Sequence, residues 1–125
     1  MPKPKKTKSN PTGNQNESQY ISELMLEKKA LDILILDVRK ITTLTDFFVV
    51  CTSESEPQTR AIADHINGKM KEVGVKSWHT EGYQHLEWVL IDFVNIVVHI
   101  FSKDAREYYE FERLWADGKI THIKD

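Results

Sequence analysis

The 125-residue chain carries one cysteine, Cys51, so no intrachain disulfide can form, and a reducing compartment is the expected setting. No apolar run approaches the roughly 20 residues of a membrane span. The longest, around Trp88 to Phe93 and Ile96 to Phe101, are strand-sized. None of the glycines (Gly13, Gly68, Gly74, Gly82, Gly118) precedes a serine or another glycine, and the body holds no Asp-x-Asp or Asp-x-Glu. A nucleotidyltransferase needs such a turn followed by an acidic pair to hold metal ions, so metal-dependent phosphoryl transfer is disfavoured. A G-x-G-x-x-G and a P-loop are absent, and scattered histidines with a lone cysteine give no zinc spacing. No cofactor is expected.

Residues 1–19 have no aliphatic side chain after Met1 but include Pro2, Pro4, Pro11 and Gly13. Such a segment cannot bury enough apolar area to offset its ordering entropy, and it is expected to be disordered. It has neither the apolar stretch of a secretory signal nor the arginines of a transit peptide. Four lysines against Glu17 make it +3, whereas 13 basic and 18 acidic groups make the rest −5. The tail reads as a solubilising segment, with a weak contact with RNA phosphates as the alternative, and the acidic body suits a basic protein partner.

At this length one domain is expected, burying roughly two thirds of its unfolded surface. It is assigned to residues 20–117, with 118–125 a frayed polar tail. A helix is expected from about Ser18, as cap, to Leu31, followed by strands at Ile33–Val38 and Phe47–Thr52. A long helix spans about Glu56 to Val73. Its apolar stripe is Ile62, Ile66, Met70 and Val73, with Pro57 in the first turn and Gly74 at the end. Strands at Val75–His79, Gln84–Phe93 and Ile96–Phe101 follow, then a helix from Lys103 to Ala116 capped by Ser102. The order α-β-β-α-β-β-β-α predicts an α/β (α+β) fold: a small mixed five-stranded sheet with flanking helices.

The last two strands carry the most information. With Val94-Asn95 as a two-residue turn, Trp88 opposes Phe101, Leu90 opposes His99 and Asp92 opposes Val97. Alternation then puts Val89, Ile91, Phe93, Ile96, Val98 and Ile100 on one wholly apolar face, which must meet the helices. The other face carries Trp88, Leu90, Asp92, Val97, His99 and Phe101. It has too many aromatics for a solvated surface, and its aromatic anchors with a few polar groups resemble the centre of a protein interface. The competing reading is that another segment, most simply the C-terminal helix, covers it.

Chemical candidates are few. His99 with Asp92 would make an oriented acid–base pair, but an imidazole hydrogen-bonded in a core or interface fits as well. Cys51 reads as a small core residue and Asp37 as a turn or cap group. Thr52-Ser53-Glu54-Ser55 leads into a helix N-terminus, where Glu54 and Glu56 oppose anion binding and favour simple capping. On the last helix, Tyr108, Phe111 and Leu114 or Trp115 form a core stripe, and Arg106, Tyr109, Glu110 and Arg113 occupy another face.

These blocks together resemble a known family. L-D-V-R at Leu36–Arg39, T-D-F-F-V-V at Thr45–Val50 and Q-T-R-A-I-A-D at Gln58–Asp64 are similar to its N-terminal half. W-V-L-I-D-F at Trp88–Phe93, V-V-H-I-F at Val97–Phe101 and R-E-Y-Y-E-F-E-R-L-W at Arg106–Trp115 are similar to its C-terminal half. The family is that of the ribosomal silencing factors, RsfS, also called Iojap-like.

The resemblance implies a nucleotidyltransferase-like fold without catalytic residues and a non-enzymatic role, and the N-terminal segment, unlike a transit peptide, points to a bacterial cytoplasm rather than an organelle. It implies binding to the large ribosomal subunit through ribosomal protein L-fourteen, blocking small-subunit docking when nutrients are short, and it allows a homodimer. Carried onto this chain, the partner-binding residues are Trp88, Leu90, Asp92, His99, Phe101, Arg106 and Tyr109. Departures are Ser53 and Pro57 where the family has glycine and arginine, and Val94-Asn95 where its hairpin turn has Gly-Asp. Two other readings remain: a degenerate nucleotide-binding enzyme of that fold, and a homodimeric adaptor using the same aromatic face.

Overall fold

A computed structural model describes residues 14–124. The elements are α1 (Asn14–Glu27), β1 (Leu31–Asp37), β2 (Phe47–Ser53), α2 (Glu56–Glu72), β3 (His79–Glu81), β4 (Trp88–Asp92), β5 (Ile96–Ser102), α3 (Lys103–Tyr109), α4 (Phe111–Leu114) and β6 (Lys119–His122). They build one mixed sheet in the order β3-β4-β5-β2-β1-β6. Only β2 and β5 run parallel; every other neighbouring pair is antiparallel.

Both sheet faces are apolar in the centre, which explains the unbroken hydrophobic runs of β1 and β2. On one face, Ile33, Ile35, Val49, Cys51, Val89, Ile91, Val98 and Ile100 pack under α1 and α2, whose Ile21, Leu24, Met25, Ile62, Ile66 and Met70 complete the larger core. Burial there pushes the Cys51 thiol up to about 12, so it stays a protonated core residue. On the other face, Leu34, Leu36, Phe48, Val50 and Phe101 form a smaller core with Ala105 and Phe111. The helices therefore sandwich the sheet.

The long helix is built as its sequence suggests. Ser55 caps α2 by accepting the Gln58 N–H at 3.1 Å, with Pro57 in the first turn. The Gln58 side chain then donates to the Lys28 and Lys29 carbonyls at 3.1 and 3.0 Å, which fastens the end of α1 to the start of α2. Ser53, Ser55 and Thr59 are bonded among themselves, so this loop is a cap.

Several expectations need correction. The sheet has six strands rather than five. The sixth, β6, lies where a frayed tail was expected, pairing Leu36 with Ile120 and Leu34 with His122. An edge strand needs apolar contact on few positions, and Ile120 and Ile123 supply it, one to each core. Gly118 permits the approach, because a Cβ there would sit 2.9 Å from the Asp37 carbonyl oxygen. Residues 14–19, expected to be disordered, belong to α1, where Ser18 is buried mid-helix rather than capping. Of the expected tail, residues 1–13 lie outside those described. The strand expected at Val75–His79 forms instead at His79–Glu81. The single C-terminal helix is broken at Glu110, whose φ of 47° is left-handed.

Candidate functional site

The β4–β5 hairpin has the register read from the sequence: Trp88 pairs with Phe101, Leu90 with His99 and Asp92 with Val97. Val94-Asn95 keeps that register despite replacing a glycine. Val94 takes φ 77°, a region hostile to a β-branched residue. The turn is held by hydrogen bonds. The Asp92 carboxylate accepts the Val94 N–H at 2.7 Å, and the Asn95 N–H reaches the Phe93 carbonyl at 3.0 Å. The Asn95 carbonyl in turn accepts the N–H groups of Asp46 and Phe47. Asp92 is therefore a turn-forming group as well as a surface one.

The second face of this hairpin is divided. One half lies under α3 and α4. Ser102 caps α3 by accepting the Ala105 N–H at 3.1 Å, and the left-handed Glu110 redirects the chain so that Phe111 enters the sheet face. The Phe111 ring centroid lies 4.4 Å from His99, 5.3 Å from Phe48 and 5.6 Å from Phe101. His99 and Phe101 are 3% and 0% exposed. They offer a partner no surface, and the covering-helix reading holds for this half.

The other half is open. Leu90, Asp92 and Val97 are half-buried, and Trp88, half-buried at the border, has its ring 4.9 Å from the exposed Tyr109 at the end of α3 and 6.1 Å from Phe111. The β3 pairing adds His79 and Glu81, which lie opposite Asp92 and Leu90 and so share this face. His79 bonds Glu81 at 2.6 Å. Sequence reasoning missed their place on this face, because the third strand was expected to end at His79 and a three-residue edge strand leaves almost no pattern. Beside Tyr109 a shallow cleft of about 500 Å³ is lined by Glu87, Asp104, Ala105, Glu107, Tyr108 and Tyr109, with three carboxylates and no cation.

Arg106 belongs to neither half. Its guanidinium donates to both Glu112 oxygens, at 3.0 and 3.3 Å, and to the Thr52 hydroxyl at 2.7 Å. It ties α3, α4 and the end of β2 together from a side chain that is only 12% exposed. The structure also does not make His99 and Asp92 an acid–base pair. The His99 Nδ1 accepts the Trp88 indole N–H at 3.0 Å, while Asp92 is engaged by the turn. Among the described residues no group of three or more His, Cys, Asp or Glu is arranged to hold a metal ion.

The sequence profile described as "Ribosomal silencing factor during starvation" matches residues 11–125. The chain belongs to the ribosomal silencing factor family. It is 37% identical to ribosomal silencing factor RsfS of Halalkalibacterium halodurans, over 89% of this chain and 95% of that protein. It is 39% identical to RsfS of Bacillus subtilis, over 78% of this chain and 82% of that one. A crystal structure of a Chromobacterium violaceum protein superposes with a TM-score of 0.82 at 34% identity, covering 91% of this chain and 95% of the other. The mixed sheet and flanking helices are thus the fold of this family. Membership assigns the chain to ribosome-related work rather than to a known enzymatic activity.

Proposed function

We propose that the chain is a non-enzymatic translation factor. The open half of the hairpin face docks on ribosomal protein L-fourteen of the large ribosomal subunit, and the bound factor then excludes the small subunit sterically. The setting is a bacterial cytoplasm, in keeping with the bacterial relatives. The observation that carries this reading is the partly exposed strip of Trp88, Leu90, Val97 and Tyr109 beside carboxylates from Asp92, Glu81, Glu87 and Glu107. Apolar and aromatic side chains left uncovered on a sheet face mark a partner site. Their rim of negative charge selects a basic protein. Arg106, His99 and Phe101 act from within, by holding the elements that present the strip.

The test is co-sedimentation of the purified protein with isolated large and small subunits, repeated with Leu90→Arg and Tyr109→Ala. Both positions are solvent-facing, so unchanged melting temperatures serve as the folding control. Stoichiometric binding to the large subunit alone, lost in Leu90→Arg, supports the reading. A factor that binds neither subunit, or binds equally well with Leu90→Arg, overturns it. Addition of excess small subunits distinguishes occlusion from mere attachment: an occluding factor lowers the yield of joined ribosomes.

A further inference from the structure

One polar side chain in the second core has no place in the docking strip and no need to be polar for packing. His99 sits among aromatic rings, 4.4 Å from Phe111, 5.0 Å edge-on to Phe48 and 6.2 Å stacked on Phe101. Its Nδ1 accepts the Trp88 Nε1–H, and its Nε2 is buried with no hydrogen-bond partner. An acceptor at Nδ1 leaves the ring proton of a neutral imidazole on Nε2. Burial keeps the ring neutral, pushing its pKa down to about 3. A buried N–H without a partner destabilises a fold, whereas a phenylalanine could fill similar space without that cost. The feature the imidazole has and a phenyl lacks is an acceptor aimed at the Trp88 indole.

That indole joins the two halves of the face. It lies 4.8 Å from Phe101 inside and 4.9 Å from Tyr109 outside. A tryptophan side chain has several staggered orientations open to it, and the Nε1–H bond to a ring clamped by phenylalanines selects one. We infer that His99 is a positioning residue for docking: its Nδ1 fixes the Trp88 indole so that Trp88 and Tyr109 form one continuous aromatic ledge beside Leu90. The inference rests on the reading that this face docks on the large subunit. His99 itself touches no partner and acts through Trp88.

The experiment measures affinity for isolated large subunits with His99→Phe, Trp88→Phe and the double variant. The indole N–H resonance of Trp88 is recorded by ¹⁵N NMR, and a melting curve is taken for each. His99→Phe is expected to fold, to shift that resonance and to weaken binding about tenfold, the range of one buried hydrogen bond. His99→Gln, which keeps an acceptor, restores most of the loss. In the Trp88→Phe background, adding His99→Phe changes affinity less than about twofold, because coupled residues are not additive. If phenylalanine overpacks the site and the variant melts below assay temperature, His99→Leu removes the acceptor in a smaller volume.

Two results overturn the inference alone. One is wild-type affinity in His99→Phe with the indole resonance displaced. The other is the same loss with and without the Trp88 indole. A wild-type protein that binds neither subunit overturns the docking reading, and this inference falls with it.

Discussion

Phe111→Ala tests whether the short C-terminal helices are part of the core or merely lie on it. Phe111 is 4% exposed, and its ring neighbours His99, Phe48, Phe101, Trp88 and Trp115 at centroid distances from 4.4 to 6.5 Å. Removing a buried phenylalanine costs about 3–5 kcal/mol, the low end applying where surrounding elements can collapse into the space. Here they can, because α4 is one turn at the surface and no helix that short is stable in water on its own. The expected loss is therefore about 3 kcal/mol, which corresponds to a melting temperature lower by roughly 10 °C for a domain of this size. Urea unfolding followed by tryptophan fluorescence measures it, and an unchanged m-value shows that the native state remains compact. Leu114→Ala is the matched control: the same helix, but 74% exposed, and expected to lie within about 0.5 kcal/mol of wild type. A loss below about 1 kcal/mol for Phe111→Ala, outside the range for core phenylalanines, would mean that the lid is loosely held. The whole second face would then be free for a partner.

Other perturbations follow from the same geometry. Val94→Gly releases a left-handed β-branched residue, worth about 1–2 kcal/mol, against about 0.5–1 kcal/mol of added chain entropy in the unfolded state. A small net gain in urea-unfolding stability is expected, and a clear loss contradicts the turn described. His99 is held well below its ordinary value in the folded state, so the unfolded chain binds the extra proton as pH falls. Its contribution is complete above about pH 6.5 and shrinks toward the folded pKa, amounting to about 2 kcal/mol between pH 7 and pH 5. His99→Gln should remove that part of the acid slope; an identical slope in both proteins refutes it. Because the docking strip is rimmed by carboxylates, association with large subunits should slow as salt is raised, and Asp104→Asn with Glu107→Gln should flatten that dependence. A salt-independent association rate speaks against charge steering.

The hairpin was legible because its information is local. Alternation over two short runs, joined by a two-residue turn, fixes which residues share a face, and a slip by one would bury Asp92 and expose Ile91. What the sequence could not decide was who covers the face so defined. The stripe Tyr108, Phe111 and Leu114 or Trp115 assumes one continuous helix. Glu110 instead breaks it, so Phe111 is buried while Tyr108 and Leu114 are 79% and 74% exposed. A left-handed glutamate carries no compositional flag, unlike a glycine. Arg106 was misread as surface for the same reason: its partner Thr52 is 54 residues away, a separation that no periodicity reports. Aromatic residues of an interface and of a core share one composition, and only long-range contact separates them. On this sheet the separation runs through a single pair. His99 lies on the covered side and Trp88 on the border, and the hydrogen bond between them makes the buried half of the face a determinant of the exposed half.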